Sequence, residues 1–362
     1  MITKNNAKHN TNYRRPRTDA RTTADIAFDA QKLAFAPISF QAALALRDLG
    51  ILEFLNETPS DDKTAAKKLG LSLYAVQTLL EVGLGLGLVT VQDGVYSLSK
   101  TGWFILCDPM TRVNMDFVND VCYQGMYTLK ESLKKGKPTG LKVFGKWKTV
   151  YEGLSKLPAR NRKSWFVFDH FYSDIAFPEI LPLVFELSPK TIFDVGGNTG
   201  KWAKKCLEHD RAVRVGLVDL PGQLAVAKKN LKKYKNRVSF HPVNLLDKNA
   251  VIPAGADAFL MSQFLDCFSK DEIVSILKKV KKASSKDTRI YILEPLWDRQ
   301  PYAASAFCLN HTSLYFTNIA NGNSKMYSLK EMQDCIKKAG LKTEKVFDGV
   351  GRFAYTLIRC TK

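Results

Sequence analysis

Residues 191–220 read TIFDVGGNTGKWAKKCLEHDRAVRVGLVDL, and the parsing of this stretch decides what the rest of the chain can be. TIFDVGG is a short apolar run closed by glycines, which predicts a strand ending in a tight turn. GKWAKKCLEH predicts the helix that follows, and VRVGLVDL is a second strand ending in Asp219. The same grammar continues downstream. RVSFHPVNLL, DAFLMSQFL and TRIYILEPL read as strands, MQDCIKKAGL as a late helix, and KVFDG with FAYTLIRC as two closing strands with no helix between them. Strands alternating with helices imply an α/β, Rossmann-like sheet that is mostly parallel, and the final hairpin implies one antiparallel strand.

Asp194-Val195-Gly196-Gly197-Asn198-Thr199-Gly200 falls where the first of these strands meets its helix. Glycines there let the backbone turn sharply and approach a ligand. The run is not GxGxxG, because Asp194 precedes the glycines and would repel a pyrophosphate, and it lacks the Gly-Lys-Ser/Thr of a P-loop. A carboxylate at this point suits a ligand with a cationic amino group. Asp219, at the end of the second strand, is placed to accept hydrogen bonds from ribose hydroxyls. A nucleoside with a positively charged amino-acid tail is S-adenosylmethionine (SAM), the expected cofactor.

Upstream the pattern differs. QKLAFAPISFQAALALRDLGILEFL repeats apolar residues at helical spacing, with Gly50 as a C-cap. Two short helices separated by a turn at Leu69-Gly70-Leu71 follow, then VTVQDGVYSLSKTG alternates around Asp93-Gly94, a hairpin signal. Helix, helix-turn-helix and hairpin in this order predict a winged helix. The second helix of the turn, LSLYAVQTLLEVGLGLGL, carries Glu81 and no Arg or Lys, so phosphate contacts and guanine readout are not expected of it. Its apolar character fits an interface instead. The expected divisions are a basic disordered tail over 1–27, a winged-helix dimerisation domain over 28–110, a mainly helical connector contributing to the active site over 111–182, and a SAM-binding domain over 183–362.

At 45% hydrophobic and 25% charged residues, the composition is that of an ordinary globular protein. No apolar run approaches the ~18 residues of a membrane span, and the polar, basic N-terminus lacks an apolar signal region. A cytoplasmic location without membrane association is therefore expected. Seven cysteines are scattered with no CxxC pair, which argues against both a disulfide framework and a zinc site, and no metal is expected. The net charge of +19 raises the question of a polyanion. Most of it is lysine on helix faces, as in VAKKNLKKYKNR and ILKKVKKASSK, which reads as a solvated surface. Arg14, Arg15, Arg17 and Arg21 are basic without such a reason.

DVGGNTG, VDLPG, FLDCFSKDE and LEPL, in this order and spacing, resemble the SAM-dependent O-methyltransferases of the caffeic acid and acetylserotonin type. The resemblance runs from about residue 28 to the end. It implies a homodimer formed through the N-terminal domain and a small-molecule acceptor. By position, Gly196, Gly197 and Gly200 would shape the loop at the methionine tail, with Asp219 and Leu220 on the ribose and adenine side. Asn244 and Leu245 match the acidic and apolar residues that hold the adenine in the family. Ser262 stands where the family has Lys or Arg, and Tyr172, in FDHFYSD, where it has a Met near the sulfonium.

The stretch LMSQFLDCFS, residues 260–269, holds the largest departure. Aligned on Ser269, the family's Leu-His-Asp-Trp-Ser becomes Leu265, Asp266, Cys267, Phe268 and Ser269, so Asp266 occupies the position of the catalytic His. Glu294 matches the family acid that orients that His, and the second such acid is replaced by Met326. Asp266 reads either as base or orienter for an acceptor or as a polar cap on the following helix. His311, in CLNHTSLYF, reads either as a replacement imidazole or as an exposed histidine. The expected activity is O-methylation of a small aromatic or related metabolite. Two alternatives stay open: C-methylation or non-methylating SAM chemistry, and a SAM-sensing winged-helix regulator of DNA.

Overall fold

The computed structural model describes residues 20–362, so the arginines at 14, 15 and 17 and the expected disorder of the tail's first part lie outside the described residues. The chain divides into two compact units after Arg112.

In the N-terminal unit, α1 (Thr23–Asp48) begins ahead of the onset expected at about residue 28, because Thr22 caps it. Its hydroxyl accepts the Asp25 N–H at 3.2 Å. The helices α2 (Ile51–Glu57), α3 (Asp62–Leu69) and α4 (Leu73–Gly85) follow, with Gly70 at φ 66° in the turn between the last two. The strands β1 (Val89–Gln92) and β2 (Val95–Leu98) pair antiparallel around Asp93 and Gly94. Their φ values of 51° and 78° are the left-handed pair that a two-residue hairpin loop demands. Then comes α5 (Lys100–Cys107), and α6 (Pro109–Phe117) runs through the division. This is the helix, helix-turn-helix and hairpin order read from the sequence, and α4 offers exposed Leu73 and Tyr74 in place of basic residues.

The larger unit opens with helices α7 (Leu129–Lys135), α8 (Val150–Gly153), α9 (Ala159–Ser173) and α10 (Phe177–Phe185). Alternation then sets in: β3 (Thr191–Val195), α11 (Lys201–His209), β4 (Arg214–Asp219), α12 (Pro221–Asn230), β5 (Val238–Pro242), β6 (Ala258–Ser262), α13 (Lys270–Ala283) and β7 (Arg289–Glu294). It closes with α14 (Ala303–Tyr315), α15 (Leu329–Lys338), β8 (Lys342–Val350) and β9 (Tyr355–Thr361). The sheet order is β5-β4-β3-β6-β7-β9-β8, and β9 runs antiparallel to both neighbours. The crossover from β5 to β6 is made without a helix.

The strands are apolar throughout because both sheet faces are covered, and the pleat sends alternate residues to opposite sides. Ile192, Leu217, Leu260 and Leu293 pack with Trp202 and Leu207 of α11. Phe193, Phe259, Met261 and Ile292 pack with Ile273, Ile276, Leu277 and Val280 of α13. Each fully buried aliphatic side chain contributes about 1.5–3 kcal/mol, and this clamps the strand ends in place. The strand order reverses between β3 and β6, so the crevice at their carboxyl ends is where an open α/β sheet receives its ligand.

Candidate active site

The glycine loop lies at that crevice. Gly196 holds φ at 78°, its N–H bonds the Val218 carbonyl at 2.9 Å, and a Cβ there would run into the Phe264 ring. A Cβ at Gly197 would lie 2.7 Å from Asp194 Oδ2, so only glycine lets the backbone lie over this carboxyl. Gly200 caps α11 with its own left-handed turn. Asp194 is buried, and Oδ2 has no hydrogen-bond partner among the described residues. Burial, with the charge of Asp219 adding to it, pushes its pKa up to about 8.

Asp219 ends β4 with both oxygens engaged. Oδ2 accepts the Asn198 N–H at 2.8 Å and Oδ1 the Leu220 N–H at 2.6 Å, yet burial still raises its pKa. A carboxylate has lone pairs left after two such bonds. Leu220 is exposed at the start of α12. Beyond β5, Asn244 is exposed and uses Oδ1 for the Leu246 N–H, which leaves its amide N–H groups as donors. Leu245 instead turns into the core against α13, so Asn244 is the accessible member of that pair. Ser262 ends β6 with its hydroxyl buried and without a partner among the described residues.

A second cluster forms around the turn between β6 and α13. The predicted capping box is present: Glu272 Oε2 accepts the Ser269 N–H at 2.8 Å and the Ser269 hydroxyl accepts the Glu272 N–H at 3.4 Å. Ser269 thus caps the helix, and Asp266 is free of that task. Asp266 sits in the 3-10 turn Leu265–Cys267, 7% exposed, with Oδ1 unpartnered. Burial raises its pKa to about 6, opposed by the Cys267 side chain and by backbone amides. Glu294, at the end of β7, accepts the Phe264 and Leu265 N–H groups on Oε1 at 3.1 and 2.7 Å, and its Oε2 has no partner. Burial and then the negative charge of Asp266 hold Glu294 well above the carboxylate range. The structure therefore brings Asp266 and Glu294 together, with burial pushing both carboxyls toward the protonated form. This arrangement can take up a proton beside an apolar wall.

That wall is aromatic. Phe117 stacks on Phe168 at 3.9 Å between centroids, Trp165 Nε1 donates to the Tyr315 hydroxyl at 2.7 Å, and Met326 packs in the same cluster. Tyr172 on α9 lies among Phe168, Phe171 and Phe353, and its hydroxyl donates to Asn114 Oδ1 at 2.8 Å. The Tyr355 hydroxyl bonds the Tyr172 carbonyl and lies 3.4 Å from Gln263 Oε1, which ties α9 to the end of β6. Gln263 itself is held at φ 48°, a strained value for a residue with a side chain.

His311 stands apart. It lies on the exposed side of α14, its ring rests on Phe307 at 3.9 Å, and Nδ1–H donates to the Phe307 carbonyl at 2.7 Å. Of the two readings the sequence offered for His311, the exposed histidine satisfied within its own helix is the one that matches this placement. Sequence reasoning also passed over Gln263 and Tyr355, which the fold brings beside Tyr172. The one available signal was the position of Gln263 close to Asp266.

The model of an O-methyltransferase domain matches residues 112–342, and that of a Dimerisation2-like domain matches residues 28–96. The chain belongs to the O-methyltransferase family. It is a SAM-dependent methyltransferase, with the mainly parallel fold of that class. Among relatives, an L-tyrosine C(3)-methyltransferase from Streptomyces lavendulae is 22% identical over 86% of this chain and 86% of its own length. The acetylserotonin O-methyltransferase of Bos taurus is 26% identical over 75% of this chain and 81% of its own. An O-methyltransferase from neocarzinostatin biosynthesis, solved with SAM and 2-hydroxy-5-methyl naphthoic acid, superposes with a TM-score of 0.63 at 18% identity, over 90% of this chain and 95% of that one. The methyltransferase's residues fit SAM on their own evidence. A buried carboxyl oxygen without a hydrogen-bond partner among the described residues, under a side-chain-free backbone, is complementary to an ammonium. No helix among the described residues is long and apolar enough to cross a membrane.

Proposed function

We propose that this methyltransferase methylates a hydroxyl oxygen of a small aromatic acceptor, with Asp266 as the base. The observation that carries the reading is the buried Asp266–Glu294 pair, with one bare oxygen on each carboxyl, beside the aromatic wall. SAM supplies, when bound, a methyl group on a cationic sulfur that leaves as a neutral thioether. Asp194 would hold the ammonium of its tail under Gly196 and Gly197, with Gly200 fixing the start of α11. Asp219 would accept from the ribose hydroxyls, with Leu220 and Asn244 around the adenine. Ser262, at the end of β6, and Tyr172 would lie toward the sulfonium, the Tyr172 ring face being suited to a cation.

Asp266 takes the acceptor's proton and Glu294 keeps the turn in register through its two backbone bonds. A carboxylate raised to about 6 by burial is a stronger base than its exposed counterpart. It remains weaker than imidazole toward an ordinary phenol near ~10, so acceptors with acidified hydroxyls are favoured. The apolar exposed residues Phe28, Leu33, Phe35 and Ile38 of α1, within the Dimerisation2-like match, support a homodimer formed through the N-terminal unit.

The test is incubation with SAM and a panel of hydroxylated aromatics, with product read by mass and by the position of the new methyl. A gain of one CH2 on oxygen is expected. Methylation on carbon would favour the second reading, which the missing imidazole and the tyrosine C(3)-methyltransferase relative support. An Asp266→Ala variant with full turnover would exclude the base role.

A further inference from the structure

The tail of SAM is a zwitterion, with an ammonium and a carboxylate, and Asp194 answers only the first. Asp194 and Asp219, toward the ends of β3 and β4, offer an anion no counter-charge, and Ser262 at the end of β6 is neutral. The glycine loop itself, however, ends on a cation. Lys201 is the first residue of α11, directly after Gly200, whose φ of 80° turns the chain into the helix. That helix starts without a side-chain cap, and the first N–H groups of a helix favour an anion. In the same loop Asp194 is buried under Gly197, its Oδ2 without a partner among the described residues, so the loop is already shaped for a charged ligand.

The Lys201 side chain is not turned out to solvent. It is half-buried, and Nζ lies 3.0 Å from Nδ1 of His170 on α9. This contact joins the glycine loop to the helix that carries Tyr172. An ammonium has three N–H donors, enough for an imidazole nitrogen and both oxygens of a carboxylate. The helix it reaches has the character of a ligand wall. None of the residues of α9 is fully buried, although Trp165, Phe166, Phe168, Phe171 and Tyr172 are all aromatic. An aromatic face that the protein covers only in part is what a helix lying along a ligand presents.

We propose that Lys201 binds the carboxylate of the cofactor's tail, with His170 holding its ammonium at the edge of the crevice. Asp194 and Lys201 then read the two ends of one amino acid from opposite ends of the glycine loop. The proposal rests on the reading that Asp194 receives the tail's ammonium.

The test needs no acceptor. The full-length protein is titrated by calorimetry with SAM and with decarboxylated SAM, which keeps the ammonium and the sulfonium and lacks only the carboxylate. Wild type is expected to prefer SAM by roughly 10–100-fold, the effect of one charge-assisted hydrogen-bonded contact. Lys201→Gln should weaken SAM by about that factor and leave decarboxylated SAM nearly unchanged, so that the preference disappears. Lys201→Arg, which keeps the cation, should retain most of it. His170→Ala should fall between wild type and Lys201→Gln, and full preference in it would remove the imidazole from the proposal. An undiminished preference in Lys201→Gln, equal losses for both ligands, or a wild type that binds the two alike would overturn the assignment of Lys201. Failure of the Asp194 reading is distinguishable, because Asp194→Asn would then bind both ligands as wild type does, whatever the Lys201 variants show.

Discussion

Asp194 and Asp266 both lie near the carboxyl edge of the sheet, both are buried, and both have a raised pKa, yet their surroundings do opposite things. Around Asp194 the carboxylate of Asp219 adds to the effect of burial and the backbone above it is glycine, so the Ala203 backbone N–H offsets burial only in part and the pKa stands at about 8. Around Asp266 backbone amides compensate burial in part, while burial and the charge of Asp266 push Glu294 well above the carboxylate range. The first carboxyl waits for a cation to ionise it. The second, on the function proposed above, takes up a proton from the acceptor. One raised acid thus reads as a binding group and the other as a base.

The contrast is broken most severely at the base. Asp266→Ala is expected to lower turnover by roughly 10²–10⁴-fold while leaving affinity for S-adenosylhomocysteine within about twofold, measured by steady-state kinetics and calorimetry on the same preparations. On the cofactor side, Asp219→Ala should weaken S-adenosylhomocysteine binding by roughly 10–100-fold, because ribose bonds are lost and the Asn198 and Leu220 N–H groups are orphaned. Equal losses of turnover and affinity in both variants would erase the division of labour.

A finer effect separates the two acids by proton count. With an apo pKa of about 8, Asp194 must lose its proton when an ammonium docks on it. At pH 6.5, calorimetry in buffers of different ionisation enthalpy should show release of about one proton per ligand bound, and Asp194→Asn should show none. The smallest expected effect is on apo stability. Between the ordinary value of 3.8 and about 8, native Asp194 keeps a proton that the unfolded chain has lost. Stability therefore falls as pH rises through that window. Asp194→Asn should flatten the melting temperature against pH relative to wild type, and an unchanged slope would remove the claim.

The carboxyl at residue 194, the glycines over it and the acid at residue 219 are legible in sequence because strand, turn and helix follow from neighbours in the chain. Asp266 is legible for the same reason, as a polar residue between a strand end and the capping box at Ser269 and Glu272. His311 shows where that reasoning stops. Its place on a helix could be read, but the rotation that leaves it exposed on Phe307 could not. Leu245 likewise was read as a ligand neighbour and is buried against α13.

The sequence by itself determined the alternation of strands and helices, the cofactor class that the glycine loop and its two acids accept, and the loss of the imidazole. Only the tertiary structure decided how far burial shifts each acid and that Glu294 grips the backbone beside Asp266. Local conformation depends on bonded neighbours within a few residues. The charge state and orientation of a buried carboxyl depend instead on the dielectric and donors around it in space, and those are supplied by elements far apart in the chain.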